Sequence, residues 1–507
     1  MNRKSISCLA TMLGVAVSLL MMGSANAQFT LVKVSTDKFH NTDSTHRTEV
    51  EPDTFAFGST IVSAYHVARR PGSVGWGSAD VGWSTSTDGG KTWTFGYLPD
   101  LTSNYKNGKY GAAADPSVAY DAKHKVWMIS TLPLVGLQCC SLIGDVAVSL
   151  STDGLHWGKP INIDKTHLDD KNWTVCDNNS KSKFYGNCYT EWDQALGTGE
   201  ILMSVSSDGG KTWGPGKASA DGAGGLGGEP LVQPNGTVIV PFVGGGIASI
   251  RSTDGGKTWQ SSVFVANIDA HGDAGGIRNP NLIGAAIDGA GKVFVVWAAC
   301  SFRSGCSSND VVMSTSTDGK KWSSPPTRIP IDSKNSTVDH FLPGIGVDIA
   351  TSGKAGHLTI VYYYYPVSNC GGINQPPCQL DVGFTTSQDG GQTWTAGKQL
   401  AGPMKPIWLP LSDNGYMVAD YVGVAYSNGN PFSVFPVATA PTNGLLHEDM
   451  YTTKEPLLAK AGEPRFSSKG ERPIPGAKSD HEMKFYYDDE GHIPIPPERQ
   501  IGARKQK

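Results

Sequence analysis

Long Leu/Ala/Glu/Lys stretches of helical period are missing from this chain, and past the first residues no apolar run reaches the roughly 20 residues that a membrane span needs. The first absence argues against a helical fold and the second against a membrane span. An excess of basic residues is also missing: 42 Lys and Arg against 46 Asp and Glu leave a formal charge of -4. Nucleic-acid phosphates call for a basic face, so no nucleic-acid partner is expected, and simple electrostatic adhesion to anionic membranes is equally disfavoured. No Cys-x-x-Cys pair is matched by a His cluster, so neither a metal nor another cofactor is read from the sequence.

What the chain does hold is glycine (62), proline (31) and tryptophan (13), the make-up of many short strands joined by tight turns. Residues 1–27 read as a signal peptide. Asn2-Arg3-Lys4 is basic, Leu9 to Met22 is apolar, and Ala25-Asn26-Ala27 supplies the small-residue cleavage site, with cleavage expected after Ala27. The mature protein is therefore expected outside the cytoplasm, secreted or periplasmic. Nine cysteines less Cys8 leave an even number in a compartment where disulfides persist. Cys176 with Cys188, Cys300 with Cys306 and Cys370 with Cys378 are close enough to staple single loops. The adjacent Cys139 and Cys140 bridge each other or pair elsewhere. From about 454 to 507 hydrophobic alternation stops, which predicts a flexible or loosely docked tail.

Between these ends one phrase recurs six times: Ser86-Thr87-Asp88-Gly89 to Trp93, Ser151-Thr152-Asp153-Gly154 to Trp157, Ser206-Ser207-Asp208-Gly209 to Trp213, Ser252-Thr253-Asp254-Gly255 to Trp259, Ser316-Thr317-Asp318-Gly319 to Trp322, and Ser387-Gln388-Asp389-Gly390 to Trp394. The Asp positions lie 46 to 71 residues apart, which suits a repeating unit of four strands. Asp accepts hydrogen bonds from backbone N–H groups of its own turn, Gly supplies the positive φ, and Trp covers the hairpin. The six Asp residues are thus expected to be structural.

A polar entry precedes each copy: Glu51-Pro52-Asp53, Ala114-Asp115-Pro116, Asp170-Lys171-Asn172, Gly228-Glu229-Pro230, Arg278-Asn279-Pro280 and His340-Phe341-Leu342-Pro343. A seventh, Asp420-Tyr421-Val422, has no later Asp phrase. Entries count seven units and Asp phrases six. Seven is preferred, with the strand near Phe29 to Val34 completing the last unit and removing the open edges of the array.

The repeated phrase resembles the Asp-box, or BNR repeat, of the sialidase-like β-propellers, and the likeness runs from about Glu51 to Met450. It implies an all-β fold over residues 28–453, a single propeller of four-stranded blades, seven or alternatively six. It also implies a retaining, exo-sialidase-like glycosidase that takes a carbohydrate or glycoconjugate at the central face, with the chain acting as a monomer. In that family a Tyr assisted by Glu is the nucleophile, an Asp is the acid and base, and Arg side chains grip the sugar carboxylate. Carried onto this chain, the catalytic candidates are Asp115, Glu229 and Tyr421, and the substrate-binding candidates are Arg69, Arg70, Arg278, Asn279 and Arg303. The Phe/Tyr-Arg-Ile-Pro signature expected near the start is absent. The one Arg-Ile-Pro, at Arg328, follows the fifth Asp phrase. A non-catalytic propeller that binds a glycan or protein is therefore the alternative.

Overall fold

The computed structural model describes residues 29–72, 76–135, 143–166, 169–194 and 198–474. The expected signal peptide and Cys139-Cys140 lie outside them. Every regular element among the described residues is a β-strand, apart from three short 3-10 turns at Ser304–Cys306, Gly353–Ala355 and Pro406–Trp408.

The strands fall into antiparallel sheets that follow one another along the chain. The first runs Glu49–Phe57, Thr60–Arg69, Ser78–Ser86, Thr94–Tyr97. The second runs Ala112–Asp121, Val126–Val135, Val146–Ser151, Ile161–Asp164. Asp170–Cys176, Cys188–Asp193 and Ile201–Ser206 make the third. The fourth is Leu231–Val232, Val238–Val243, Ile247–Ser252, Gln260–Ala266, and the fifth Gly284–Ile287, Val293–Ala299, Asp310–Ser316, Thr327–Arg328. Asp339–Val347, Leu358–Tyr365, Leu380–Ser387 and Lys398–Met404 form the sixth. After it, Val424–Ser427 pairs with Asn430–Ser433, and Phe435–Thr442 pairs with Leu445–Thr453, whose far edge takes the N-terminal strand Leu31–Lys33.

The first strand of each sheet packs against the first strand of the next, in chain order, and Val424–Ser427 lies against both Asp339–Val347 and Glu49–Phe57. The core is accordingly divided into layers between neighbouring sheets. Val62, Val81 and Trp83 of the first meet Val118, Trp127 and Ile129 of the second, and Tyr189 and Met203 of the third meet Val240, Phe242 and Ile250 of the fourth. Middle strands such as Val293–Ala299 are buried along their whole length, because both faces meet a neighbouring sheet.

Each Asp phrase forms the turn after the third strand of its sheet. Asp88 Oδ1 accepts from the N–H groups of Lys91 (3.0 Å) and Thr92 (2.9 Å), and its Oδ2 accepts from the Thr92 hydroxyl (2.6 Å). Gly89 and Gly90 hold φ of 73° and 89°, and Trp93 Nε1 donates to Gly90 O at 3.2 Å. The Thr92 hydroxyl above all pulls the Asp88 carboxyl down to about 2. Asp208, Asp254 and Asp389 repeat this pattern. The turns at Asp153 and Asp318, one residue shorter, bond Leu155 and His156, and Lys320 and Lys321.

Three disulfides join Cys176 to Cys188, Cys300 to Cys306 and Cys370 to Cys378, the pairs expected from their spacing. Of the segment beyond 453, residues up to 474 are described. Leu457 is buried, Glu463 pairs with Lys398 at 2.6 Å, and Arg465–Phe466 adds a short strand to Trp394–Thr395.

Candidate functional site

Four of the first strands carry an irregularity of the same kind. The register shifts between Val50 and Asp53, between Ala114 and Ser117, between Asp170 and Trp173, and between Phe341 and Gly344. In each shift sits a residue of positive φ that is not glycine: Glu51 (56°), Asp115 (44°), Lys171 (45°) and Leu342 (49°). Such a bulge re-aims its side chain, and the left-handed backbone costs about 1–2 kcal/mol at each position. Three of the four thereby carry charged groups to one place.

There the Lys171 ammonium lies 2.7 Å from Asp420, 3.1 Å from Asp115 and 3.4 Å from Glu51. Arg278 donates to both oxygens of Asp420, through Nε at 2.7 Å and through Nη2, and its Nη1 lies 3.5 Å from Asp413. His66 Nε2 accepts the Asp115 N–H at 2.7 Å and lies 2.9 Å from Glu51 Oε2. The N–H calls for a lone pair on that nitrogen and the carboxylate for a proton. Burial opposes charge on the ring, and Glu51 and Asp115 together outweigh it and raise the imidazole's pKa. Arg69 donates to the carbonyls of Gly77 (2.6 Å) and Arg70 (3.1 Å) and forms no ion pair among the described residues. Burial first, and then Arg278, lower its pKa.

All of these groups but Asp420 line a cavity of about 70 Å³, together with Asp170, Trp76 and Asn414. Proton affinities diverge inside it. Burial opposes charge on Asp115, yet Lys171, with His66 and Glu51 behind it, holds its carboxyl well below the ordinary value. Burial, only partly offset by Lys171, pushes Glu51 up to about 7. Burial and the neighbouring Asp115 charge push Asp170 to about 7. Glu51, His66 and Asp115 are spaced as metal ligands could be, but the Lys171 ammonium already counters the charge of the two carboxyls. Asp310, Asp332 and His340 are similarly spaced, and there Arg303 and Arg328 fill the cationic role.

Of the residues singled out from sequence, Asp115, Arg69 and Arg278 come together. Glu229 and Tyr421 line a second, larger cavity of about 510 Å³ formed by the trailing ends of the same first strands. Glu229 Oε2 accepts the Ala285 N–H at 2.6 Å. The Tyr421 hydroxyl donates to Pro116 O at 3.2 Å, and burial raises its pKa. Lys171 sits 5.6 Å from the Tyr421 ring centroid, so that ring stands between the charged cluster and the larger cavity. Arg70 pairs with Asp43 at 2.6 Å, Asn279 bonds Asp273, and Arg303 is held in its network with Asp310 and Asp332. Sequence reasoning passed over Glu51, His66, Lys171 and Asp420. Glu51, Lys171 and Asp420 stood in the recurring polar entries, whereas His66 had no local signal.

No protein-family model and no curated protein matches the chain. Solved structures do. One is the Hadza microbial sialidase Hz136, at 15% identity over 82% of this chain and 67% of that one, with a TM-score of 0.40. Another is the intramolecular trans-sialidase from Ruminococcus gnavus, at 14% identity over 87% of this chain and 99% of that one, with a TM-score of 0.41. A protein of unknown function from Dyadobacter fermentans is 15% identical over 71% of this chain and 99% of that one, with a TM-score of 0.44. Likeness at this level says nothing about the activity of this chain.

Proposed function

We propose that this chain is an exported Asp-box propeller of seven sheets that hydrolyses a glycosidic bond at the cluster around Asp115. The order in which the first strands pack, with Val424–Ser427 against both the sixth and the first sheet, supports seven, as does the pairing of Leu31–Lys33 with the last sheet. The leader and the disulfides support export.

The observation that carries the chemistry is the separation of proton affinities between neighbouring carboxyls that share one cavity. A glycosidase needs one carboxyl to give a proton to the leaving oxygen and another, ionised, to face the positive charge at the anomeric carbon. Asp170, near 7 and half-buried, fills the first role, and Asp115, kept ionised by Lys171, fills the second. Arg69, with no ion pair among the described residues, and Arg278 favour a sugar bearing a carboxylate, and Trp76 at the rim offers a ring to a pyranose face. Tyr421 and Glu229 have no part in this scheme, since they line the larger cavity.

The test is turnover of a panel of aryl glycosides by the purified mature protein, with an aryl sialoside and an aryl glucuronide among them. Asp170→Asn and Asp115→Asn are each expected to lower kcat by about 100-fold or more, and Tyr421→Phe to retain activity. Loss of activity in Tyr421→Phe alone would overturn the residue roles. The second reading, a propeller that binds a glycan or protein without cleaving it, draws support from the small cavity and from the closed Arg278–Asp420 pair. Binding on a glycan array without turnover of any substrate favours that reading.

A further inference from the structure

The larger cavity has no role in the chemistry proposed above. At about 510 Å³ it lies in the range of small-molecule sites, and it opens to the surface beside the exposed Ser180 and Ile349. Its lining holds four carboxyl groups, Asp53, Asp177, Glu229 and Asp288, and no Lys, Arg or His. Two of the four are committed to their own turns. Asp177 takes the Ser182 hydroxyl, and Asp288 takes the N–H groups of Ala290 and Lys292.

The other two face the interior. Asp53 accepts the N–H groups of Thr54 and Val118, each at 2.7 Å. Glu229 uses Oε2 for the Ala285 N–H, and its Oε1 has no partner among the described residues. Half-buried Trp173 lines the same space, its ring edge-on to Tyr421 with centroids 5.1 Å apart. Most of the remaining wall is aliphatic, with Ile283, Ile287, Ile345 and Val347 among it.

We propose that this cavity binds a small organic ammonium ion with an apolar body, its charge placed between Glu229 and the ring of Trp173. A carboxyl group with a free oxygen, an aromatic ring and the absence of any lining cation select for positive charge. Aliphatic walls take the body of the ligand. Burial that raises the proton affinities of Glu229 and Asp53 agrees with a site that has no resident cation. The site is independent of the proposed hydrolysis, since it stands on the other side of Tyr421 from Asp115.

Calorimetric titration of the mature protein with benzyltrimethylammonium, with benzyl alcohol as neutral control and benzoate as anionic control, tests the assignment. Saturable 1:1 binding of the ammonium at least tenfold tighter than either control is expected, and a further tenfold or greater loss in Glu229→Gln. The comparison of the three probes needs only the unsubstituted protein, so it holds even if the variant folds poorly. Equal binding of the neutral and charged probes overturns the proposal, as does no saturable binding or a folded Glu229→Gln with unchanged affinity.

Discussion

Replacing Lys171 by Met removes the one ammonium that Asp115, Asp420 and Glu51 share while keeping most of the side chain's volume. At an effective dielectric of 20 the 3.1 Å contact to Asp115 is worth about 5 kcal/mol. The cost of desolvating the ammonium cancels much of that gain, and in the variant Arg278 still serves Asp420. A net loss of about 3–5 kcal/mol is the value for a buried network that loses one partner. The loss should depend on pH. In the native protein Lys171 depresses the Asp115 pKa below its unfolded value, so the stability it lends is present above about pH 4 and lost as pH falls further. In Lys171→Met burial is opposed only by His66 and Glu51, so the Asp115 pKa rises from its native value. Relative to the native protein the variant therefore loses ground as pH rises through the carboxylate range, and its deficit is larger at pH 8 than at pH 4.5. Scanning calorimetry of both proteins at these two pH values reads the difference. For a body of this size, with unfolding entropy near 2 cal/mol/K per residue, the shift in Tm at pH 8 is on the order of 3–5 °C. A shift that is the same at both pH values, or under about 1 °C at pH 8, refutes the view that Lys171 neutralises a buried carboxylate.

Three further outcomes follow from the fold. Asp254→Ala deletes the acceptor for the Thr258 N–H and hydroxyl and should cost about 1–2 kcal/mol in urea denaturation, as loss of a capping side chain does. Gly344→Ala is expected to be far worse, because a Cβ there would stand 1.8 Å from Val422 O at the contact of the sixth sheet with the strand that follows. A soluble variant with unchanged Tm contradicts that close approach. Glu49 takes the Met450 N–H beside the N-terminal strand, and burial, with Asp449, raises its pKa from 4.5 to about 8. Folded protein therefore holds this proton where unfolded protein does not, and stability falls as pH rises from about 4.5 through 8. Glu49→Gln should remove on the order of 2–4 kcal/mol of that decline, which denaturation at pH 6 and pH 9 measures.

Local chemistry was legible in the sequence. The Ser-x-Asp-Gly turns state their own hydrogen bonds, because donor and acceptor lie within four residues of each other, and three cysteine pairs lie close enough in sequence to be matched. The division of the polar entries between two cavities was not legible. Asp115 and Glu229 each precede a proline and look alike on the page. Asp115 lies in a strand that continues past it, where the register shift and a φ of 44° turn it toward Lys171. Glu229 stands before the two-residue strand Leu231–Val232, whose pairing shows no such shift, and its carboxyl goes to Ala285 instead. Arg278 has few charged neighbours in sequence, yet Asp420, 142 positions later, takes it. Pairing across that separation depends on how the first strands pack against one another, which no local window contains.

The bulges explain why charge gathers at the leading ends of these strands at all. A regular strand alternates its side chains between the two faces of its sheet, and in this fold both faces meet apolar layers. Within a strand a charge can leave these two faces only where the alternation breaks, which at Glu51, Asp115 and Lys171 takes a left-handed residue, and the strain has to be recovered. Glu51, Asp115 and Lys171 come from the first strands of the first three sheets and Asp420 from the segment before Val424–Ser427, and they satisfy one another only when these pieces take up their native positions together. The cluster therefore discriminates the native packing of these sheets from a slipped one. The same contacts set the proton affinities on which the proposed hydrolysis depends, because the Lys171 ammonium that ties the sheets also lowers the Asp115 pKa, and the Asp115 charge adds to burial in raising that of Asp170. Any substitution that loosens this packing by moving Lys171 must then change the pH profile of turnover as well as the melting temperature.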